Sequence, residues 1–233
     1  MAKLPSSVVG IDFGRHSMKS VVLQRRGNRF HLTNYAVEEI TRPIETEDQL
    51  AEAVKSHLKT LNGKAKAYAV AVSSPTMILR IIEQPETPAE QLRDIVRLNG
   101  MSLLNQDCKD FVLDCDVIGP ANSQVPEGQS GNLKYLVGGV PRAQITHLDG
   151  ALQKTGVDVS LIQLAPICSF NAFEFAYEDI FSNQAFVLVD LGHESSTVTV
   201  GVKKELILIR SIEYGGKDLI EALTSSTGLS RRE

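Results

Sequence analysis

Two stretches of this chain read as one unit written twice. Residues 8–23, VVGIDFGRHSMKSVVL, and residues 187–200, VLVDLGHESSTVTV, each run an apolar strand into an aspartate. Each places a glycine two residues on and then resumes with a second apolar strand. The aspartates, Asp12 and Asp190, are 178 residues apart, and a third strand-like segment follows each pair, at 29–40 and 205–212. Consecutive strands joined by tight turns predict an antiparallel meander in each copy. Helical patterns between the copies make the chain α/β.

Composition sets the outer limits. Hydrophobic residues at 42% and charged residues at 22% are those of an ordinary globular protein. A formal net charge of -4 offers no basic footprint for nucleic acid. No apolar run approaches the roughly 18–20 residues of a membrane span, and the N-terminus has no secretory pattern, so a cytoplasmic location is expected. Cys108, Cys115 and Cys168 lack CxxC spacing and read as buried free thiols rather than a disulfide framework or zinc site.

Between the copies the elements can be placed from their punctuation. Thr46-Glu-Asp-Gln has the form of a capping box. It opens a helix with Leu50, Ala53, Val54, Leu58 and Leu61 at helical spacing and Asn62-Gly63 as its stop. A small-residue buried strand is predicted at 68–72, a turn at Ser73-Ser74-Pro75 and a strand at 77–82. Thr87 then supplies an N-cap, Pro88 a first helical position and Glu90 a capping acid, for a helix to about 104. Strands follow at 111–118 and 133–140, joined by a Gly/Pro/Ser-rich loop over 119–132. A helix at 142–155 stops at Gly156, 157–162 is extended, and a helix at 166–179 buries Ile167, Phe170, Phe173 and Phe175. The second copy opens with a buried strand at 185–190, and Gly215-Gly216 leads into a helix from Lys217. His31, His57 and His147 lack clustered partners and read as surface residues, and Asp114 and Asp116 as solvated.

The doubled turn has a chemical use. Glycine lets backbone N–H groups approach an anion closely, as in a nest for phosphate. Aspartate cannot hold phosphate directly, but it can hold magnesium through water, because that ion keeps much of its hydration shell. Lys19 and the hydroxyls of Ser17, Ser195, Ser196 and Thr197 could contact phosphate or position the turn. A lone Asp-x-Gly is an ordinary turn; its recurrence in the same strand context is what points to a polyphosphate clamp of two facing hairpins.

The doubled hairpin resembles the two phosphate motifs of the actin-like ATPase superfamily, and LAPICSFNAF at 164–173 resembles its connecting helix. Within that superfamily the chain is similar to the PilM family of type IV pilus assembly proteins. GIDFGRHSMKSVVL, AVAVSSPTMILRIIEQPETPAEQLRDIVR, VLVDLGHESSTVTV and IRSIEYGGKDL carry the likeness over essentially the whole chain. The resemblance implies an actin-like, ribonuclease H-like fold with the inserted subdomain of the PilM and FtsA branch. It implies a first-lobe core at 1–76 with 163–182, an insertion at 77–162, and the start of a second lobe at 183–233.

The same likeness implies ATP with magnesium as cofactor. The implied nucleotide-binding set is Asp12, Phe13, Gly14, Arg15, His16, Ser17 and Lys19 in the first hairpin. Asp190, Gly192, His193, Glu194, Ser195 and Thr197 serve in the second, with Gly215, Gly216 and Lys217 at the floor. Asp12 and Asp190 would hold the metal through water. The implied partner is the short N-terminal cytoplasmic peptide of a PilN-like membrane protein, which would tether the chain to the cytoplasmic face of the inner membrane beside other pilus assembly proteins, with self-association open.

Two departures stand out. Ala165 precedes Pro166 where several hydrolytic relatives carry glutamate, so weak or absent hydrolysis is expected. The chain ends in GLSRRE, where Ser230 and Glu233 are spaced as a capping box, so the second lobe is expected to be incomplete and nucleotide binding by this chain weak. Two rival readings are an FtsA-like division filament protein and a sugar- or acetate-kinase-type phosphotransferase. The latter needs a substrate-binding acid and polar sugar loops in the first lobe, and neither is evident.

Overall fold

The computed structural model describes residues 5–27, 29–61, 65–120 and 131–229. Asn28 of the first turn, the Asn62-Gly63 stop, most of the 119–132 loop and the terminal capping box lie outside those residues. The chain forms two compact units: residues 1–73 with 144–168, and residues 74–143 with 169–233.

The first unit is built on a five-stranded sheet. Strands β1 (Ser7–Phe13), β2 (Ser17–Arg26) and β3 (Arg29–Glu39) form the expected antiparallel meander. Strands β4 (Ala67–Val72) and β8 (Val159–Leu164) add in parallel on the β1 side, giving the order β3-β2-β1-β4-β8. Helix α1 (Glu47–Thr60) starts as its sequence directs: Gln49 N–H donates to Thr46 Oγ1 at 3.2 Å, and Thr46 N–H donates to Gln49 Oε1 at 3.1 Å. Period-two alternation puts Val9, Ile11, Met18, Ser20 and Val22 on one buried face of the sheet. Ala51 and Val54 of α1, Leu61 at its C-cap, and Leu148, Ala151 and Leu152 of α3 (Arg142–Thr155) are also buried.

His57 corrects the sequence reading. It is 1% exposed, not a surface residue, and its Nε2 lies 2.7 Å from Ser20 Oγ while Nδ1 lies 3.3 Å from Glu38 Oε2. A polar group buried this deeply needs partners. Those partners come from β2 and β3, 37 and 19 residues away in sequence, so no local pattern could reveal them.

The second unit holds two three-stranded antiparallel sheets. In the first, β5 (Ile78–Pro85), β7 (Asn132–Pro141) and β6 (Phe111–Pro120) run in the order β5-β7-β6. Leu92 and Val96 of α2 (Ala89–Leu104) join Ile78, Leu113, Tyr135 and Val137 in its core, with the Cys108 and Cys115 thiols. The expected Thr87 cap is displaced by one residue: Pro88 is the N-cap, and Thr87 Oγ1 donates back to Pro85 O. Thr87 is instead fastened by Tyr135, whose hydroxyl accepts from Thr87 N–H at 2.8 Å and lies 3.1 Å from Thr87 O.

In the other sheet, β9 (Ala185–Leu191), β10 (Ser196–Val202) and β11 (Glu205–Ile212) run in the order β11-β10-β9. The single helix expected at 166–179 is two, α4 (Ala165–Ala176) and α5 (Glu178–Asn183). Phe170, Phe173, Phe181 and Phe186 cluster with ring centroids 4.7 to 6.1 Å apart, while Phe175 is exposed rather than buried. The β9 strand is likewise not the buried strand its sequence suggests: it is an edge, with Val187, Val189 and Leu191 exposed. Helix α6 (Gly216–Thr227) follows. Among the described residues no helix is long and apolar enough to cross a membrane.

Candidate functional site

The expected site residues fall into two groups, one in each unit. In the first hairpin, β1 and β2 pair with Phe13 opposite Met18 and Asp12 opposite Lys19. Four residues, Gly14 to Ser17, make the turn. A β-carbon on Gly14 would lie 2.6 Å from Ser17 O, so only glycine lets the chain close here. That added carbon would also sit 3.8 Å from Lys19 Nζ, which places the ammonium beside the turn. Lys19 Nζ donates to Asp12 Oδ2 at 3.1 Å, with both side chains partly in solvent. His16 O accepts from Ile40 N–H at 2.8 Å, tying the turn to the end of β3.

The second hairpin repeats the register and the close glycine–serine approach of the first turn. Leu191 pairs with Ser196 and Asp190 with Thr197, again leaving four turn residues. A β-carbon on Gly192 would lie 2.6 Å from Ser195 O, the same clash at the same distance. Gly192 N–H donates to Ser195 O at 3.1 Å. The alignment makes His193 the counterpart of Arg15 and Glu194 the counterpart of His16, so the two histidines are one position out of step.

The floor residues close onto this second turn. Gly216 N–H donates to Gly192 O at 2.8 Å and Lys217 N–H to His193 O at 2.9 Å. A β-carbon on Gly215 would stand 2.4 Å from His193 O, so the approach of α6 requires a glycine there. Gly215 N–H is capped by Asp218 Oδ2 at 2.7 Å. Ser196 Oγ donates to Tyr214 O at 2.6 Å, and buried Thr197 Oγ1 lies 3.5 Å from Ser211 Oγ; both hydroxyls serve the sheet.

Cys168 is a neighbour of the first hairpin that the sequence did not announce. Burial pushes its thiol above the usual range, and the negative charge of Asp12 adds to the shift. The start of α4, including Ala165, therefore belongs to the surroundings of Asp12 within the first unit. No acidic side chain stands at Ala165 or Pro166.

Each hairpin, taken by itself, has donors of the kind a hydrated magnesium phosphate would need. Asp12 and Asp190 offer hard carboxylate oxygens at the surface, and each sits two residues from a glycine whose missing side chain keeps backbone N–H groups approachable. Among the described residues no three His, Cys, Asp or Glu side chains gather to hold a metal by themselves. Such an ion would arrive with phosphate and water, as magnesium commonly does.

Comparison with known proteins gives these hairpins a family. The model of the type IV pilus assembly protein PilM family matches residues 10–233. The fold is similar to that of a PilM–PilN type IV pilus biogenesis complex chain, with TM-score 0.79 and 22% identity. That likeness covers 96% of this chain and 66% of the other. The ethanolamine utilization protein EutJ of Carboxydothermus hydrogenoformans is similar at TM-score 0.50 and 13% identity, over 100% of this chain and 61% of that one. A Bacteroides thetaiotaomicron protein with an actin-like ATPase fold and unknown function is similar at 0.53 and 11%, over 97% and 79%. The fold is actin-like, and the chain spans just under two thirds of the first two structures.

Proposed function

Because the chain belongs to the PilM family of type IV pilus assembly proteins, we propose that it acts as an actin-like, nucleotide-binding scaffold at the cytoplasmic face of the inner membrane. In this reading it takes the N-terminal cytoplasmic peptide of a PilN-like membrane protein. Support for the partner comes from the likeness to a PilM chain whose structure is that of a PilM–PilN complex. The three separate sheets support a three-part division in outline, with the end of the insertion drawn back, since β8 at 159–164 pairs with β4 in the first sheet.

The observation that carries the nucleotide reading is the recurrence of one turn, in which a β-carbon on the glycine would stand 2.6 Å from a serine carbonyl oxygen, after Asp12 and again after Asp190. We assign Mg-ATP as the ligand. In the first hairpin, Gly14 to Ser17 present backbone N–H groups while Lys19, already beside Gly14, supplies the positive charge. In the second, the Gly192 N–H closes the turn onto Ser195 O, the ligand would meet the backbone after it, and Gly215, Gly216 and Lys217 brace that turn from below. Asp12 in the one hairpin and Asp190 in the other are the carboxylates that would accept from the water shell of a magnesium ion. A magnesium ion held through such carboxylates would offset phosphate charge that the carboxylates alone would repel. With alanine at 165, this chain has no acid in that place to orient an attacking water, so binding without efficient hydrolysis is the expected activity.

Calorimetry of Mg-ATP binding with Asp190→Ala and Asp12→Ala tests the assignment. Each substitution is expected to abolish magnesium-dependent affinity. An unchanged affinity in both would remove the hairpins from the nucleotide site. Pull-down by the PilN-like cytoplasmic tail tests the partner separately, and failure to retain the protein would count against the scaffold role alone.

A further inference from the structure

The first unit carries a concavity beside its hairpin turn, on the side of β3 and α1. It is a groove of about 430 Å³ between the end of β3, the irregular segment 40–46 and one face of α1. Gln49, Glu52, Ala53 and Ser56 recur at helical spacing along that face and line it. Met18, Ile40 and Ala53 give it an apolar floor. Its polar wall holds three carboxylates, Glu38, Glu39 and Glu52, against one cation, Arg42.

The wall is held in place from behind. Glu38 is bonded to His57, which is 1% exposed and lies 2.7 Å from Ser20 Oγ on β2. Glu39 lies 3.9 Å from His16 Nε2, and Ile40 N–H donates to His16 O. Among the described residues Glu52 has no ion-pair partner.

We propose that this groove docks a short segment of a partner protein that is basic on one side and apolar on the other, with a lysine or arginine set among Glu38, Glu39 and Glu52. Charge complementarity chooses the occupant. A nucleotide, a phosphate or an acidic peptide would meet a three-to-one excess of carboxylates. A second copy of this chain, with a net charge of -4, is on average repelled. A fully polar polyamine would leave the floor of Met18, Ile40 and Ala53 against water. A mixed segment satisfies both surfaces, and the volume suits two or three of its side chains. This inference goes beyond the nucleotide reading and does not depend on it.

The test is fluorescence anisotropy on the whole chain with three probes: a labelled short peptide amide of alternating leucine and lysine, its leucine–glutamate counterpart, and spermidine as competitor. The leucine–lysine peptide is expected to bind saturably, the glutamate peptide not to bind, and spermidine not to displace it. Glu39→Gln with Glu52→Gln is expected to weaken the peptide by about tenfold, the sum of two partly exposed ion pairs. Asp116→Asn with Glu178→Gln, exposed acids in the other unit, should leave affinity unchanged. Equal loss in both double variants, or displacement by spermidine, overturns the proposal by reducing it to general attraction to an acidic surface. Both pairs replace exposed side chains and should fold; the thermal midpoint confirms that any loss is local.

Discussion

The two hairpins share a turn and differ in the face they bury. Position by position, offset by 178, the copies align without a gap. Yet Val9 and Ile11 are 1% and 2% exposed while their counterparts Val187 and Val189 are 60% and 65% exposed. On the opposite face the order inverts: Lys19 and Val21 face solvent, whereas Thr197 and Thr199 are buried. In the first unit α1 is tied to the Ile11 side through His57 and Ser20. In the second, Phe186 on the Asp190 side enters the phenylalanine cluster of α4 and α5. Turn geometry belongs to the repeated unit itself; the buried face belongs to whatever packs on it.

Alanine at the equivalent apolar positions is the strongest way to break that comparison. Ile11→Ala is expected to cost about 2–5 kcal/mol, because it empties a closed core site. Val189→Ala should stay within about 0.5 kcal/mol, as for an exposed side chain. Urea unfolding of the two variants decides. A Val189→Ala loss approaching that of Ile11→Ala would mean the β9 face is covered in solution and the two copies bury both faces.

The glycines sharpen the part the copies share. Gly14→Ala and Gly192→Ala force the same 2.6 Å clash with a serine carbonyl, so each should cost about 1–3 kcal/mol, and by similar amounts. Backbone cannot yield as a flexible side chain can. Losses that differ by more than about twofold would show that the two turns are held differently despite their matching geometry.

These contrasts also explain what was legible in advance. The meander, the Thr46 cap and both Asp-x-Gly turns were legible because each depends on residues close in sequence, and the structure reproduces them. The burial of His57 and the exposure of the β9 valines were not. Each depends on which distant element covers a given face. Val187 and Val189 have the same apolar character as Val9 and Ile11, so hydropathy cannot separate an exposed edge from a core strand. The candidate site residues were picked out through repetition and resemblance, while Cys168 was missed because nothing in its own neighbourhood refers to Asp12.

Cys168 can report on the first hairpin by its pH dependence. Its thiol is raised above the usual thiol range, mainly by burial and then by the charge of Asp12. Thiolate is the reactive form, so native alkylation should be slow at neutral pH and accelerate only at a more alkaline pH than for an exposed cysteine. Asp12→Asn removes the repelling charge and should move that acceleration to lower pH, a several-fold faster rate at a fixed alkaline pH. The burial contribution remains, so the midpoint should not fall to that of a free thiol. A rate unmoved by Asp12→Asn would separate Cys168 from the hairpin.

The smallest expected effect concerns the residues across from the two aspartates, Lys19 and Thr197. The Asp12–Lys19 pair is 3.1 Å long, but its side chains are 36% and 52% exposed, so solvent screening limits it to about 1 kcal/mol or less. Lys19→Met should therefore scarcely change the urea midpoint, and the small loss should vanish in high salt. If Lys19 instead serves phosphate, the same substitution should weaken Mg-ATP by far more than it weakens the fold. The copies then divide the work unequally: the first hairpin brings a lysine to the ligand, while the second keeps its threonine for the sheet and relies on the brace of Gly215 and Gly216. A Lys19→Met protein that loses stability and ATP affinity in equal measure would make the lysine structural and erase that asymmetry.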